Sequence, residues 1–236
     1  MFADEADQDA PEKRYLVYGA IYVPSDTVLA LVKAIRSKRA EYGFSPDAPL
    51  KFSTGTIPSG VTREAHAALK SDLLGIAADE NVRAVCYVVQ HDVARTQKKE
   101  DKLKWAMNTL AYNFQKFLKF HVNDCGLVFF DRTTDFKQEE YLKEIMRHGL
   151  PMYDGNRISI DRLVAANSTQ EGLSHLNSLC DIVVGSFRFV FNEPDKDIVG
   201  EKLFRQLAKL IWGKVSDDGK KWYVIDRGLI FRPKQF

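Results

Sequence analysis

Several common features are missing from the sequence, and each absence excludes a class of protein. The chain of 236 residues has no run of about 18 apolar residues, so we expect no membrane-spanning helix. Its first 11 residues are acidic and lack a hydrophobic segment, so we expect no signal peptide. Lysine and arginine number 34 against 32 aspartate and glutamate, a formal net charge of +2. Overall charge therefore does not indicate a nucleic-acid partner, although a local basic groove can coexist with an acidic site.

Cysteine is scarce, which excludes two kinds of small stabilised fold. The three cysteines, Cys86, Cys125 and Cys180, form no C-x-x-C pair, so neither a disulfide framework nor a zinc ribbon is expected. Each lies in or beside an apolar run, which predicts buried, reduced thiols. Reduced thiols suit a reducing compartment, so we expect a cytoplasmic protein.

Familiar catalytic motifs are absent as well. The sequence has no G-x-S-x-G nucleophile elbow and no H-E-x-x-H zinc motif. Residues 55–60, GTIPSG, have the outer glycine spacing of a phosphate-binding loop, but Val61 stands where the lysine belongs. The five histidines are isolated from one another, so spacing predicts no zinc cluster.

What the sequence does contain is typical of an α/β protein. Residues 14–24 and 82–90 are apolar at successive positions, which predicts strands buried on both sides and helices on both faces of a sheet. Helices and strands alternate along the chain. The other expected elements are helices at 25–42, 62–79, 102–121, 136–148, 172–192 and 198–212, short strands at 50–52, 126–130 and 157–163, and a closing hairpin at 222–231.

Two aspartates lie in apolar surroundings. Asp131 directly follows the strand GLVFF, and open α/β sheets bind ligands at the carboxyl ends of their strands; a turn-capping role is the alternative. Asp181 interrupts an apolar helix on a face of small and polar residues. A buried carboxylate needs a partner, and either Arg188 on the same face or a metal ion would provide one. Asp4 and Glu5, taken alone, read as the start of a frayed acidic tail.

The order of these segments resembles the domain-of-unknown-function family numbered 3800. The matching segments are FADEA, a doubly buried strand and a helix, LKFS, a strand ending in Asp131-Arg132, and a helix containing SLCDIVVG. The resemblance covers residues 1–192, a ribonuclease-H-like domain. Residues 193–236 are expected to form a C-terminal helix and hairpin extension packed on the same domain. The resemblance implies a ribonuclease-H-like mixed sheet with helices on both faces.

The same resemblance implies a set of site residues. Asp4 and Glu5 match the family's opening acidic pair, Lys51 its middle lysine, Asp131 its strand-end aspartate and Asp181 its helix aspartate. The chain departs from the family at three positions, where Ala6 replaces a serine, Pro49 a glutamate and Ser178 a glutamine. The Pro49 change removes one possible metal ligand and puts full catalytic competence in question.

The carboxylates would suit Mg²⁺ or Mn²⁺, which prefer hard oxygen ligands. Asp4, Asp131 and Asp181 are the expected metal ligands, and Glu5 is a further ligand or a neighbour of one. Lys51 would either hold a substrate phosphate or neutralise charge in the transition state. Two ions about 3.5–4 Å apart would activate a water and stabilise the leaving oxygen. The expected function is a metal-dependent nuclease or related phosphodiester hydrolase acting on DNA or RNA.

Two other functions remain open at this point. The first is a nucleic-acid-binding or assembly module with a degraded active site, in which a lysine-rich segment at 98–104 would contact the phosphate backbone. The second is a protein-interaction component that uses Trp212 and Trp222, although tryptophans at such positions are more often in the core.

Overall fold

The fold is that of a computed structural model, which describes residues 1–6, 13–133, 137–152, 154–170, 173–193, 197–216 and 218–233. It is a mixed α/β structure built on a six-stranded sheet, and the α/β class is therefore confirmed. The first residues of the predicted helices 136–148 and 172–192, and residues 7–12 of the acidic segment, lie outside the described residues.

The sheet has the strand order β10-β3-β2-β1-β4-β7. Strands β1, β2 and β3 pair antiparallel, whereas β4 runs parallel to β1, β7 parallel to β4 and β10 parallel to β3. The bounds are β1 Phe2–Ala6, β2 Tyr15–Tyr22, β3 Arg83–Gln90, β4 Gly126–Asp131, β7 Leu163–Thr169 and β10 Leu229–Arg232. Two small ribbons stand apart: β5 Leu150–Pro151 with β6 Arg157–Ile158, and β8 Lys214–Val215 with β9 Trp222–Tyr223.

Helices cover both faces of the sheet, as the doubly apolar strands β2 and β3 require. One core contains side chains of α1, α2, α6 and α7, and the other contains those of α4 and α5. Val17 of β2 belongs to the first core and its neighbour Tyr18 to the second, which is the alternation expected of a buried strand. The bounds are α1 Val28–Glu41, α2 Arg63–Asp79, α3 His91–Ala94, α4 Lys99–Phe117, α5 Gln138–His148, α6 His175–Asn192 and α7 Asp197–Ala208.

The first acidic residues do not fray, so that prediction is wrong for residues 2–6. They form β1, which lies between β2 and β4 in the middle of the sheet. The segment FADEA is too short and too polar to be recognised as a central strand from its pattern, and its pairing partners supply the missing energy. Asp4 and Glu5 therefore lie on a strand that pairs with β2 along its whole length and with β4 at Phe2 and Ala3.

Three smaller predictions are also wrong. Residues 157–163 alternate in polarity, but 157–158 pair in the small β5–β6 ribbon, and the main sheet receives β7, which begins at Leu163. Residues 50–52 belong to no strand. The turn at Asp226 exists, with φ of 58°, but its two arms join different sheets, because β9 pairs with β8 and β10 with β3. The expected C-terminal extension thus adds a strand to the main sheet.

The cysteines differ from one another in solvent exposure, and so do Trp212 and Trp222. Cys86 and Cys180 are buried free thiols as expected, whereas Cys125 is exposed. Trp212 is buried in the core while Trp222 is 45% exposed. Within the described residues no helix is long and apolar enough to cross a membrane.

Candidate active site

The carboxyl ends of three parallel strands bring two of the predicted aspartates together. Ala3 of β1 pairs with Phe130 of β4, so the next residues along, Asp4 and Asp131, lie side by side. Asp131 pairs in turn with Thr169 of β7. Side chains in register on neighbouring strands share a face of the sheet, so this row of oxygens faces one way, towards α6.

The third aspartate comes from α6, which crosses this face close to the sheet. Asp4 pairs with Gly19 of β2, and a Cβ at Gly19 would stand 2.7 Å from a methyl group of Val184. Glycine at this position therefore permits the close approach of the helix. One turn before Val184, Asp181 is thereby placed over the strand ends.

Asp4, Asp131 and Asp181 line one cavity of about 230 Å³. All five residues that the sequence predicts for the site border it. The other lining residues are Phe2, Ala3, Leu50, Thr169, Asn177, Ser178 and Cys180. The cavity is thus a polar cleft at the carboxyl ends of the parallel strands, where open α/β sheets bind their ligands.

The electrostatics of Asp4 show how closely the carboxylates are grouped. Burial raises the pKa of Asp4 to about 8, and the nearby carboxylates of Asp181 and Asp131 contribute to the rise. The backbone N–H of Glu5 donates to Asp4 Oδ1 over 2.7 Å and opposes the shift in part. The three aspartates therefore repel one another, and a cation placed among them would relieve that repulsion.

This shift predicts a pH-dependent stability in the absence of metal. The folded protein holds the Asp4 proton up to about pH 8, whereas the unfolded chain releases it near pH 3.8. Asp4 therefore contributes its full stability below that lower value and loses it as the pH rises to about 8. Relative to Asp4→Asn, wild type should lose about 2–4 kcal/mol of unfolding free energy between pH 5 and pH 8.5, measured by urea unfolding in chelator. The exposed Asp26→Asn should follow wild type, and an Asp4→Asn curve parallel to wild type would contradict the assignment.

The irregular segment at 50–53 reaches the cavity because three side chains hold its backbone. His66 Nε2 donates to the carbonyl oxygen of Lys51 over 2.8 Å; a carbonyl only accepts, so this nitrogen carries the proton. Asp181 Oδ2 accepts from the N–H of Phe52 over 2.6 Å. Lys70 Nζ donates to the carbonyl oxygen of Phe52 over 3.0 Å. We call residues 50–53 the clamped segment.

Gly185 provides the space in which the clamped segment packs. A Cβ at this position would stand 2.4 Å from Cβ of Phe52. Gly185→Ala should therefore destabilise the protein by about 1–3 kcal/mol and weaken any activity that depends on Lys51. Urea unfolding measures the change. The matched control is Gly75→Ala in α2, where no atom lies within 4 Å of the new Cβ, so stability should rise by about 0.5–1 kcal/mol. Equal behaviour of the two variants would refute the packing argument.

Lys51 and Glu5 both border the carboxylate cavity, but they lie differently with respect to the three aspartates. Lys51 borders the carboxylate cavity, as predicted, on a segment that has no regular secondary structure. Glu5 follows Asp4 on the strand and pairs with Tyr18, so its side chain projects from the opposite face of the sheet. It also borders a second cavity with Tyr18 and Gln138. Its role as a metal ligand stays a prediction.

Two residues join the site that the sequence analysis did not single out as functional. Lys70 interacts with Asp181, and burial lowers its pKa, with Arg188 lowering it further and Asp181 opposing. Lys70 is the one lysine of α2, and no sequence signal marks it as functional. For Asn177 a sequence signal did exist, because it stands four positions before Asp181 and therefore lies on the same face of the helix.

Asn177 has a buried side-chain oxygen in this region to which no residue of the described part of the chain donates. Its Nδ2 donates to Thr169 Oγ1 over 2.8 Å and to the carbonyl oxygen of Gln170 over 3.2 Å. A carbonyl can only accept, so the amide orientation follows from chemistry. Among the residues that the structure describes, none donates to the buried Asn177 Oδ1, and an unsatisfied buried acceptor costs about 1–3 kcal/mol. Such an oxygen is expected where a ligand completes the site.

The residues present fit a hard divalent cation in their chemistry. Three aspartates and an unsatisfied amide oxygen border one region, and oxygen ligands are those that Mg²⁺ and Mn²⁺ prefer. In the part of the chain that the structure describes, no three His, Cys, Asp or Glu side chains converge into a complete ion-binding group. Mg²⁺ usually keeps several waters and uses substrate phosphates besides one or two carboxylates, so an incomplete protein cage is compatible with it.

Of the other charged residues considered from the sequence, Arg188 is the one that borders a cavity together with the aspartates. Arg188 borders an adjoining cavity with Asp4 and Asp181, and its pairing with Asp181 stays a prediction. Arg132 and His175, which are near the site in sequence, do not border the carboxylate cavity. In the lysine-rich segment, Lys104 forms an ion pair with Glu100 one turn earlier, so part of its charge is neutralised on its own helix.

Comparison of the chain with models of protein families, with curated proteins and with solved structures finds no match.

Proposed function

We propose that this protein is a divalent-metal-dependent nuclease, or a related phosphodiester hydrolase, with a ribonuclease-H-like fold and a relationship to family 3800. The observation that carries the proposal is the meeting of Asp4, Asp131 and Asp181, remote in sequence, around one cavity. The antiparallel β1–β3 beside the parallel β4 and β7 support the finer fold assignment. The free cysteines support a reducing, cytoplasmic location.

The chain's own groups have distinct roles in this proposal. Asp4, Asp131 and Asp181 would hold Mg²⁺ or Mn²⁺, which would supply positive charge for activating a water and for the leaving oxygen. Lys51, held at the cavity by His66, would bind a phosphate oxygen of the substrate. Lys70 keeps the clamped segment against α6 through Phe52. The site would thus recognise a phosphodiester by its negative charge.

The second candidate is a nucleic-acid-binding module without catalysis. It is favoured by one observation, that the described side chains form no complete ion-binding group, together with Pro49 at the position where the family often has a glutamate. Both candidates require nucleic acid at the same cavity. They differ in whether metal leads to cleavage.

The test is incubation of the full chain with single-stranded and duplex DNA and RNA, in Mn²⁺, in Mg²⁺ and in chelator. Metal-dependent products that vanish in chelator are expected. Salt-sensitive binding with no cleavage in any metal would replace the nuclease with the binding module. Neither binding nor cleavage would overturn both.

A further inference from the structure

A separate cavity, of about 190 Å³, lies beside the clamped segment on the side of α7. Phe52, Phe189, Val199 and Leu203 form its apolar walls, and Lys70 and Lys202 also line it. We call it the apolar pocket. Phe52 and Phe189 pack at 6.2 Å between ring centroids, so two elements that meet at the carboxylate site also meet here.

The apolar pocket adjoins the carboxylate site, with the clamped segment as the wall between them. A cavity of about 220 Å³ bordered by Asp4, Asp181, Phe52 and Arg188 lies between them, and Phe52 borders both it and the apolar pocket. The clamped segment therefore separates a polar cleft from an apolar one. A ligand that occupies both must have a charged group and a flat or apolar group a short distance apart.

Positively charged side chains are concentrated beside Phe52, which borders both of these cavities. Lys70 Nζ lies 4.0 Å from the ring centroid of Phe52, and the guanidinium of Arg188 lies 5.7 Å from the same ring. Cations so placed are held by the negative face of the ring. Together with Lys202 they form a rim that attracts a polyanion, whereas the walls within accept an apolar surface.

We propose that the apolar pocket receives one unstacked base of a single-stranded polynucleotide whose backbone lies at the carboxylate site. A nucleotide combines a phosphate with a flat base. This combination matches the spatial order of the polar cleft, the cationic rim and the apolar walls. A base inside a duplex is stacked and paired, and extracting it costs a few kcal/mol. The inference rests on the proposed function and adds the substrate class, which is single-stranded DNA or RNA.

Two neighbouring residues of α7 provide a matched pair of variants. Val199 lines the apolar pocket and is 58% exposed, whereas Ile198 is 86% exposed and does not line it. Val199→Glu and Ile198→Glu add the same charge one residue apart, and both positions are exposed enough for the fold to survive. Only Val199→Glu places a carboxylate in the apolar pocket.

The test measures fluorescence anisotropy of a labelled single strand and of the matching duplex, as DNA and as RNA. All proteins carry Asp131→Asn to prevent cleavage, with Ca²⁺ present. The parent should bind the single strand about tenfold more tightly than the duplex. Val199→Glu should lose about tenfold in affinity for the single strand, and Ile198→Glu should stay within about twofold of the parent. Urea unfolding confirms that both are folded.

The result that overturns the inference is equal affinity of the two variants, a preference for duplex, or no binding at all. Cleavage by the otherwise native chain judges the proposed function separately. A non-cleaving protein that still shows the Val199-specific loss would keep the pocket and lose the nuclease. A cleaving protein with equal variants would keep the nuclease and lose the pocket.

Discussion

Asp131→Asn and Asp181→Asn should each lower metal-dependent cleavage by about 10²–10³-fold, and the double variant should have no measurable activity. Asp131 lies beside Asp4 through the β1–β4 register, and Asp181 faces both from α6. Asparagine keeps the shape and removes the negative charge on which cation binding depends. The measurement is the initial rate on the best substrate, with Mn²⁺ binding followed by calorimetry.

Folding must survive for this result to be informative, and the electrostatics predict that it does. The carboxylates of Asp131 and Asp181 both raise the pKa of Asp4, so removing either charge brings that pKa closer to its ordinary value. The free energy of unfolding in chelator should be unchanged or higher for Asp131→Asn. Asp181→Asn keeps an oxygen able to accept from the Phe52 N–H. The exposed Asp26→Asn is the control, and equal rates for Asp26→Asn and Asp131→Asn would sink the assignment.

Lys70→Met should lower cleavage by about 10–100-fold with a smaller effect on stability. Lys70 donates to the Phe52 carbonyl oxygen and interacts with Asp181, so its loss frees one of the three points that hold the clamped segment. Lys51 would then no longer be fixed at the cavity. Methionine preserves most of the side-chain volume, which limits the change to charge and hydrogen bonding.

The measurement for Lys70→Met is the cleavage rate at saturating and at low substrate, beside urea unfolding. Lys70→Arg should recover part of the activity, because arginine keeps the positive charge and can donate to the same carbonyl. Lys33→Met on the exposed side of α1 is the matched control. A Lys70→Met protein as active as Lys33→Met would show that the clamped segment holds without this lysine.

Several elements were predictable from the sequence because their local pattern of apolar and polar residues is sufficient to determine them. Strands β2 and β3 are apolar throughout residues 16–22 and 84–89, which are buried in the structure, since only a strand covered on both faces tolerates this composition. The unusual place of Asp181 in α6 was equally visible, because a carboxylate within an apolar helix needs a reason. The helices followed from periodicity, with ends that differ by a few residues.

Other elements depended on their partners and could not be read locally. FADEA forms a central strand because β2 and β4 pair with it, and LVAANST forms β7 because β4 pairs with it. Residues 157–163 have a better alternating pattern than β7, yet most of them do not pair. Strand pairing is a long-range interaction, so a local polarity pattern does not determine it.

The sequence by itself determined the α/β class, the two doubly buried strands and the presence of aspartates where aspartates are costly. Only the tertiary structure decided that Asp4 stands beside Asp131, that α6 approaches closely enough for Asp181 to join them, and that Lys70 and His66 hold the segment carrying Lys51. The physical reason is that burial and periodicity act along the chain, whereas register, helix approach and the raised pKa of Asp4 arise between segments remote in sequence.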